Sequence, residues 1–154
     1  MREILFRGKR KDTGEWIEGY CVLLQDPIGC KSCRIYTGDY ERHCGCIELE
    51  YHEIDPATVG RDTGLTDRNS TKIYEGDIVE FKHGGEFDAK GIYFRKYAVE
   101  FVNTFVTYGL RLRNRSVHFP FKQATATTHD VVIVGNIYDN PELLEVCDEQ
   151  SEPM

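Results

Sequence analysis

The chain has 154 residues, 40% hydrophobic and 12% aromatic, and its 19 basic and 26 acidic side chains give a formal net charge of −7. This is enough apolar material for one domain or two small ones and excludes a disordered chain. No apolar run reaches the ~20 residues of a membrane-spanning helix, and Ile4-Leu5-Phe6 is too short a stretch for a signal peptide. The expected setting is therefore a reducing compartment, where the six cysteines read as thiols or metal ligands before disulfides.

The charge is unevenly spread. Residues 1–60 carry 8 basic and 11 acidic side chains, residues 61–138 carry 11 and 9, and residues 139–154 carry none and 6. Overall acidity argues against a broad polyphosphate-binding surface but leaves room for a local basic patch.

In chain order, Arg2–Arg7 alternates Ile4 and Phe6 against charged neighbours and reads as a strand. Lys11-Asp12-Thr13-Gly14-Glu15 is a turn, and Trp16–Leu24 a second strand, so residues 2–24 form a hairpin. Arg34–Tyr36 and Cys46–Tyr51 are further strands, the latter with Ile47, Leu49 and Tyr51 opposite Glu48 and Glu50. Asp55 caps a short helical turn with Pro56 at its first position. Leu65–Thr71 is a polar turn before an Ile73–Phe81 strand, within which Gly76-Asp77-Ile78-Val79 is a usual entry to the first strand of a small SH3-like barrel.

Tyr97–Val102 and Phe105–Arg115 alternate as another hairpin. Val131–Tyr138 is apolar on both faces, which predicts a central strand, with Gly135 marking a bulge or a close backbone approach. Asn140-Pro141-Glu142-Leu143-Leu144 predicts a capped short helix that docks Leu143, Leu144 and Val146, followed by a mobile acidic tail. The alternation predicts one core from Val79, Phe81, Val99, Phe101, Leu110, Leu112, Ile133 and Ile137.

Several of these segments together resemble the YopX-like proteins of phages and prophages. They are residues 2–9 (REILFRGK), 14–20 (GEWIEGY), 51–60 (YHEIDPATVG), 63–65 (TGL), 73–79 (IYEGDIV) and 135–144 (GNIYDNPELL). They come in the family's order across nearly the whole chain. The resemblance implies a mostly β protein: an N-terminal β-rich part over residues 1–60, packed with a C-terminal SH3-like barrel or roll over 61–147, and a flexible tail over 148–154. It also implies a phage or prophage origin and action in the bacterial cytoplasm. It implies no reaction and no catalytic residues. Two departures stand out: Arg61-Asp62 replaces the usual Gln-aromatic pair, and Asn69-Ser70 replaces an Asn-Gly turn. Glycine accepts positive φ freely and serine does not, so that turn is expected to adopt another type.

Two constellations carry candidate chemistry. Cys30 and Cys33 form a CxxC half-site, and Cys44 and Cys46 a CxC pair ten residues on, with His43 as an alternative ligand. Four such donors could hold a tetrahedral zinc, with ordinary thiols on a variable loop, or an adventitious or redox-sensitive cluster, as the competing readings. Cys21 and Cys147 read as plain thiols. Second, Arg111, Arg113 and Arg115 alternate with Leu110 and Leu112 and are expected to line one strand face, with Lys90, Arg95 and Lys96 nearby. Tyr93, Phe94, Tyr97 and Tyr108 would supply stacking to nucleic acid there; the bland alternative is a solvated face paired with Glu80 and Glu100.

His52, His83, His118 and His129 show no metal-ligand spacing, and Lys82-His83-Gly84-Gly85-Glu86 lacks the strand–loop–helix context of a phosphate cradle. Glu75 and Asp77 flank Gly76 as turn residues rather than as an acid–base pair. The resulting expectation is a non-catalytic protein-interaction or assembly module with no cofactor, zinc being the one candidate. A nucleic-acid-associated regulator is the alternative. Oligomeric state and partner stay open.

Overall fold

A computed structural model describes residues 3–84, 89, 91–102, 107–112, 115–120 and 130–145; at 43, 102, 107, 112 and 115–120 the description covers backbone alone. The protein is mostly β, with no helix of seven residues or more among the described residues. Among the described residues no helix is long and apolar enough to cross a membrane. The chain divides into two compact units, residues 1–62 and 63–154. The acidic tail 148–154, Cys147, Val146, Lys90, Arg113 and His129 lie outside the described residues.

The first unit holds β1 (Phe6–Lys9), β2 (Trp16–Gln25), β3 (Lys31–His43), β4 (Cys46–Ile54) and the start of β5 (Gly60–Thr66). β1 and β2 form the expected hairpin, with Phe6 opposite Gly19 and Lys9 opposite Trp16. The turn is held by Asp12, which accepts from Thr13 N–H and from Nε and Nη2 of Arg10. The strand order is β4-β3-β2-β1-β5, and one end of the sheet closes through an Arg10–Ile54 bridge. The Asp55 cap is formed as expected: its carboxylate accepts from Ala57 N–H at 3.0 Å ahead of a 3-10 helix, Pro56–Thr58. Thr58 Oγ1 then accepts from Lys9 N–H at 2.9 Å and ties this turn to β1. The core is small: Cys33, Ile35 and Ile54, with Ile17, Cys21 and Val59 packed around them.

β3 and β4 are much longer than the alternation suggested. Beyond the Tyr20–Tyr36 pair, β3 leaves β2 and continues with β4 alone. A bulge between Tyr36 and Tyr40, with Gly38 at φ 92°, starts this two-stranded arm. The arm ends in a two-residue turn, Cys44-Gly45, at φ 48° and 85°. Positive φ at both central residues is the turn whose twist matches an antiparallel hairpin.

The second unit contains the rest of β5, β6 (Lys72–Tyr74), β7 (Asp77–His83), β8 (Tyr93–Val102), β9 (Thr107–Leu112), β10 (Arg115–Pro120) and β11 (Val132–Asn136). Five of these strands run in the order β10-β9-β8-β7-β11. Its core is Ile73, Val79, Phe81, Tyr97, Val99, Leu110 and Val131, with Leu65, Tyr108 and Ile133 packed against it. Of the expected core, Val79, Phe81, Val99 and Leu110 are buried, whereas Phe101, Ile133 and Ile137 are only half-buried. Ile133, opposite Val79 and just before a bulge, packs against the core without being fully buried, and Ile137 lies past the strand end. The Leu112 side chain lies outside the description.

Three local expectations change. The Ile73–Phe81 segment is two strands, because Gly76 at φ 90° turns the chain between them. Val131–Tyr138 is not a central strand: β11 is terminal in the sheet order, beside β7. The segment from Asn140 is a four-residue 3-10 helix, Pro141–Leu144, and Asn140 does not cap it. Instead the Asn140 side chain turns back to Asn136 N–H at 3.4 Å.

Candidate functional site

The segments that carry the resemblance are largely spent on holding the backbone. Asp77 is buried, and its carboxylate accepts from Tyr74 N–H at 2.8 Å, while Gly76 donates to Val99 and accepts from Ile137. Thr63 Oγ1 donates to Ile73 C=O at 2.7 Å and accepts from Leu65 N–H. Asn136 Oδ1 accepts from both Tyr138 and Asp139 N–H. At Gly135 a side chain would meet Asn140 Oδ1 at 2.6 Å and Leu143 Cδ1 at 2.9 Å, so this glycine permits a close backbone approach and sits at a bulge. Each of these side chains satisfies backbone groups rather than facing a substrate.

Asp67 was not foreseen. It is buried, and one of its oxygens accepts from Asn69 and Thr71 N–H at 2.8 and 3.0 Å, the other from Ile133 N–H at 3.3 Å. The Asn69-Ser70 turn thereby keeps Ser70 at φ 62°. A serine thus occupies the left-handed region that a glycine would enter freely.

The cysteines are distributed by the strands. Cys30 is exposed on the β2–β3 turn, and Cys33 is buried at the start of β3, opposite Ile54. Cys44 and Cys46 are exposed at the far tip of the same 13-residue strand. The strand therefore sets the two pairs at opposite ends of β3, and the His43 side chain lies outside the description. Among the described residues no three His, Cys, Asp or Glu side chains gather as a metal cluster. Cys33 instead meets Cys21, sulfur to sulfur at 3.0 Å. Burial, then the hydrogen bond and charge of Cys21, push the Cys33 thiol up from 9.0 to about 12.

The arginines fall on two strands. Arg111 lies on β9 and Arg115 on β10, across a hairpin in which Leu112 faces Arg115, and Arg113 falls between them outside the described residues. Arg111 forms an ion pair with Glu100 at 3.1 Å. Of the proposed stacking residues, Tyr97 is buried and Tyr108 packs against the core, while Arg95 already covers Tyr93 at 5.3 Å. Phe94 alone is openly exposed among them.

A hollow of about 440 Å³ is lined by Lys11, Asp12, Tyr51, His52 and Glu53. The Asp12 carboxyl is held below its usual range chiefly by its hydrogen bond to Arg10, so it is committed to the hairpin turn.

The distinctive surface is a face of the first sheet. Directly opposed residues of an antiparallel pair share a face. That rule places Tyr20, Tyr36 and Tyr51 in one row, Val22, Arg34 and Glu53 in the next, and Tyr40–Leu49 and Arg42–Ile47 along the arm. Tyr40, Leu49 and Ile47 remain 57%, 52% and 63% exposed. Arg34 lies 4.3 Å over the Tyr51 ring and Arg42 5.9 Å over Tyr40. The same face continues to Trp16, with Arg7 and Lys9 over it at 4.6 and 5.6 Å. The opposite face of the arm pairs Glu41 directly with Glu48, an arrangement that destabilises an isolated hairpin. Sequence reasoning saw the alternation of β4 but had no signal that the facing strand left it uncovered.

The family described as "YopX protein" matches residues 5–145. No curated protein matches the chain. Among solved structures it is similar to protein EF1440 from Enterococcus faecalis, at 22% identity and a TM-score of 0.60, covering 92% of this chain and 98% of that one. At that identity the likeness is one of fold.

Proposed function

The chain belongs to the YopX family, and we propose that this member works without catalysis, by binding a protein partner through its tyrosine–arginine face and β3–β4 arm. The observation that carries this reading is the arm itself. A two-stranded hairpin is marginal in water, yet this one leaves Tyr40, Ile47 and Leu49 uncovered on a single side. Tyrosine and arginine on an apolar patch are the composition of interface centres. Arg7, Lys9, Arg34 and Arg42 hold their cationic groups over the rings of this face, so the complementary surface is apolar with carboxylates at its rim. For the second unit we propose an SH3-like roll, supported by the succession of antiparallel strands β7 to β10. A phage or prophage origin and a cytoplasmic setting complete the proposal.

The test is site-specific photo-crosslinking in bacterial cells, with the reactive group at Leu49 or, on the opposite face, at Glu50. A discrete protein adduct from position 49 and none from 50 supports the reading. Adducts to nucleic acid, or equal labelling from both faces, overturn it.

A further inference from the structure

The face of β2 and β3 opposite the tyrosines holds a pair of thiols that the interaction surface does not use. Cys21 is paired across the ladder with Ile35, and Cys33 with Leu23, so the two cysteines are diagonal neighbours on one face. Their sulfurs are 3.0 Å apart, roughly 1 Å more than a disulfide bond. Cys33 is fully buried and Cys21 only half-buried. Among the described cysteines no other two are brought into such contact, although Cys30-Cys33 and Cys44-Cys46 are closer in sequence.

We propose that Cys21 and Cys33 are a redox-modification site that forms a reversible cross-strand disulfide with small disulfides of the glutathione type. The two thiols have unequal roles. Cys21 is the accessible one, and as its thiolate it attacks one sulfur of the small disulfide. A mixed disulfide forms on Cys21 and the other half leaves as a thiolate. Cys33, kept protonated by its burial, then loses its proton to that thiolate. Its sulfur attacks the Cys21 sulfur and expels the second small thiol. The balance is two protein thiols and one small disulfide giving one internal disulfide and two small thiols. The bond would join β2 to β3 one row from Tyr20 and Tyr36, cross-linking the base of the exposed arm. Because the partners are diagonal rather than directly opposed, closure draws the strands from their present register. That marks a labile, reversible bond rather than a permanent staple. This inference stands whether or not the tyrosine face binds a protein.

The experiment treats reduced full-length protein with excess oxidised glutathione, then blocks free thiols and maps the linked peptides by mass spectrometry. Wild-type chain is expected to lose two hydrogen atoms, to link Cys21 to Cys33, and to revert with dithiothreitol. In a background with Cys30, Cys44, Cys46 and Cys147 each changed to Ser, Cys33→Ser should accumulate a glutathione adduct on Cys21. Cys21→Ser should leave Cys33 unmodified. Wild-type mapping needs no substitution, so a variant that fails to fold does not blunt the test. A folded wild-type chain that stays fully reduced, or that links Cys30 to Cys33, Cys44 to Cys46 or two chains together, overturns the proposal.

Discussion

The two units bury their apolar residues in different ways. The second gathers seven buried residues around Phe81, and Tyr97 meets that ring edge-on at 5.5 Å. The first buries three, Cys33, Ile35 and Ile54, and leaves Tyr20, Val22, Leu24, Tyr40, Ile47, Leu49 and Tyr51 exposed on one face. Both have similar alternating strands, so the difference lies in what covers each face. In the second unit the apolar sides of β7, β8 and β9 meet β6 residues and Val131. In the first, a long hairpin runs on after it has parted from the neighbouring strand. An apolar face kept uncovered on a marginal hairpin is a feature a stability argument alone does not explain.

The largest test of this contrast sets Phe81→Ala against Leu49→Ala. Phe81 is 2% exposed, Leu49 52%. The first truncation should cost about 3–5 kcal/mol and the second under about 0.5 kcal/mol, read from urea denaturation by circular dichroism. An equal cost would mean that the arm is covered in solution and that the contrast fails. A smaller effect is expected at Gly135. A methyl group there meets the Asn140 and Leu143 side chains, so Gly135→Ala should cost about 1–3 kcal/mol by overpacking. Val134→Ala, at the exposed neighbour, should change stability little.

Much of the scaffold was legible because local chemistry decided it. Asp55-Pro56 marked its 3-10 turn, Gly135 its bulge, and Val79, Phe81 and Val99 their burial. What was not legible depended on pairing at a distance. Nothing in Val131–Tyr138 says that β11 ends a sheet, since apolar residues on both faces also suit an edge strand packed against a turn. Cys30-Cys33 reads as a zinc half-site by spacing, but a ligand pair needs a turn that aims both sulfurs at one point. Here Cys33 enters a strand and faces Cys21, which spacing along the chain cannot reveal. Spacing along the chain likewise did not show that Arg111 and Arg115 fall on two different strands, β9 and β10. The tyrosine face required knowing which rows of three strands coincide.

Next in size is a pH effect confined to the first unit. The Cys33 thiol is pushed up from 9.0 to about 12, first by burial and then by Cys21. A folded-state value above the unfolded one means that the folded chain keeps a proton the unfolded chain has released. The thiol's contribution is therefore fully present below pH 9 and is lost as pH rises from 9 towards 12. The slope is at most about 1.4 kcal/mol per pH unit. Tyrosines and lysines also titrate in this range, so the informative quantity is a difference. Wild-type stability should fall more steeply above pH 9 than that of Cys33→Ala, whose absolute stability is lower. Parallel curves would show that Cys33 is reached by solvent and that the small core is more open than its burial indicates.

The smallest expected effect is a gain. Ser70 sits at φ 62° because Asp67 accepts Asn69 and Thr71 N–H on either side of it and fixes the turn. A left-handed conformation costs a non-glycine residue roughly 1–2 kcal/mol, part of which glycine returns through the greater entropy of its unfolded chain. Ser70→Gly should therefore stabilise the second unit by about 0.5–1 kcal/mol, seen as a higher urea midpoint with an unchanged slope. Asn69→Gly, at a position without positive φ, should give no such gain. Together the two variants separate strain at one residue from general loosening of the loop. If both stabilise equally, the turn is not held by Asp67 in the way its three accepted hydrogen bonds imply. The second unit would then share with the arm a segment whose shape is not set from within.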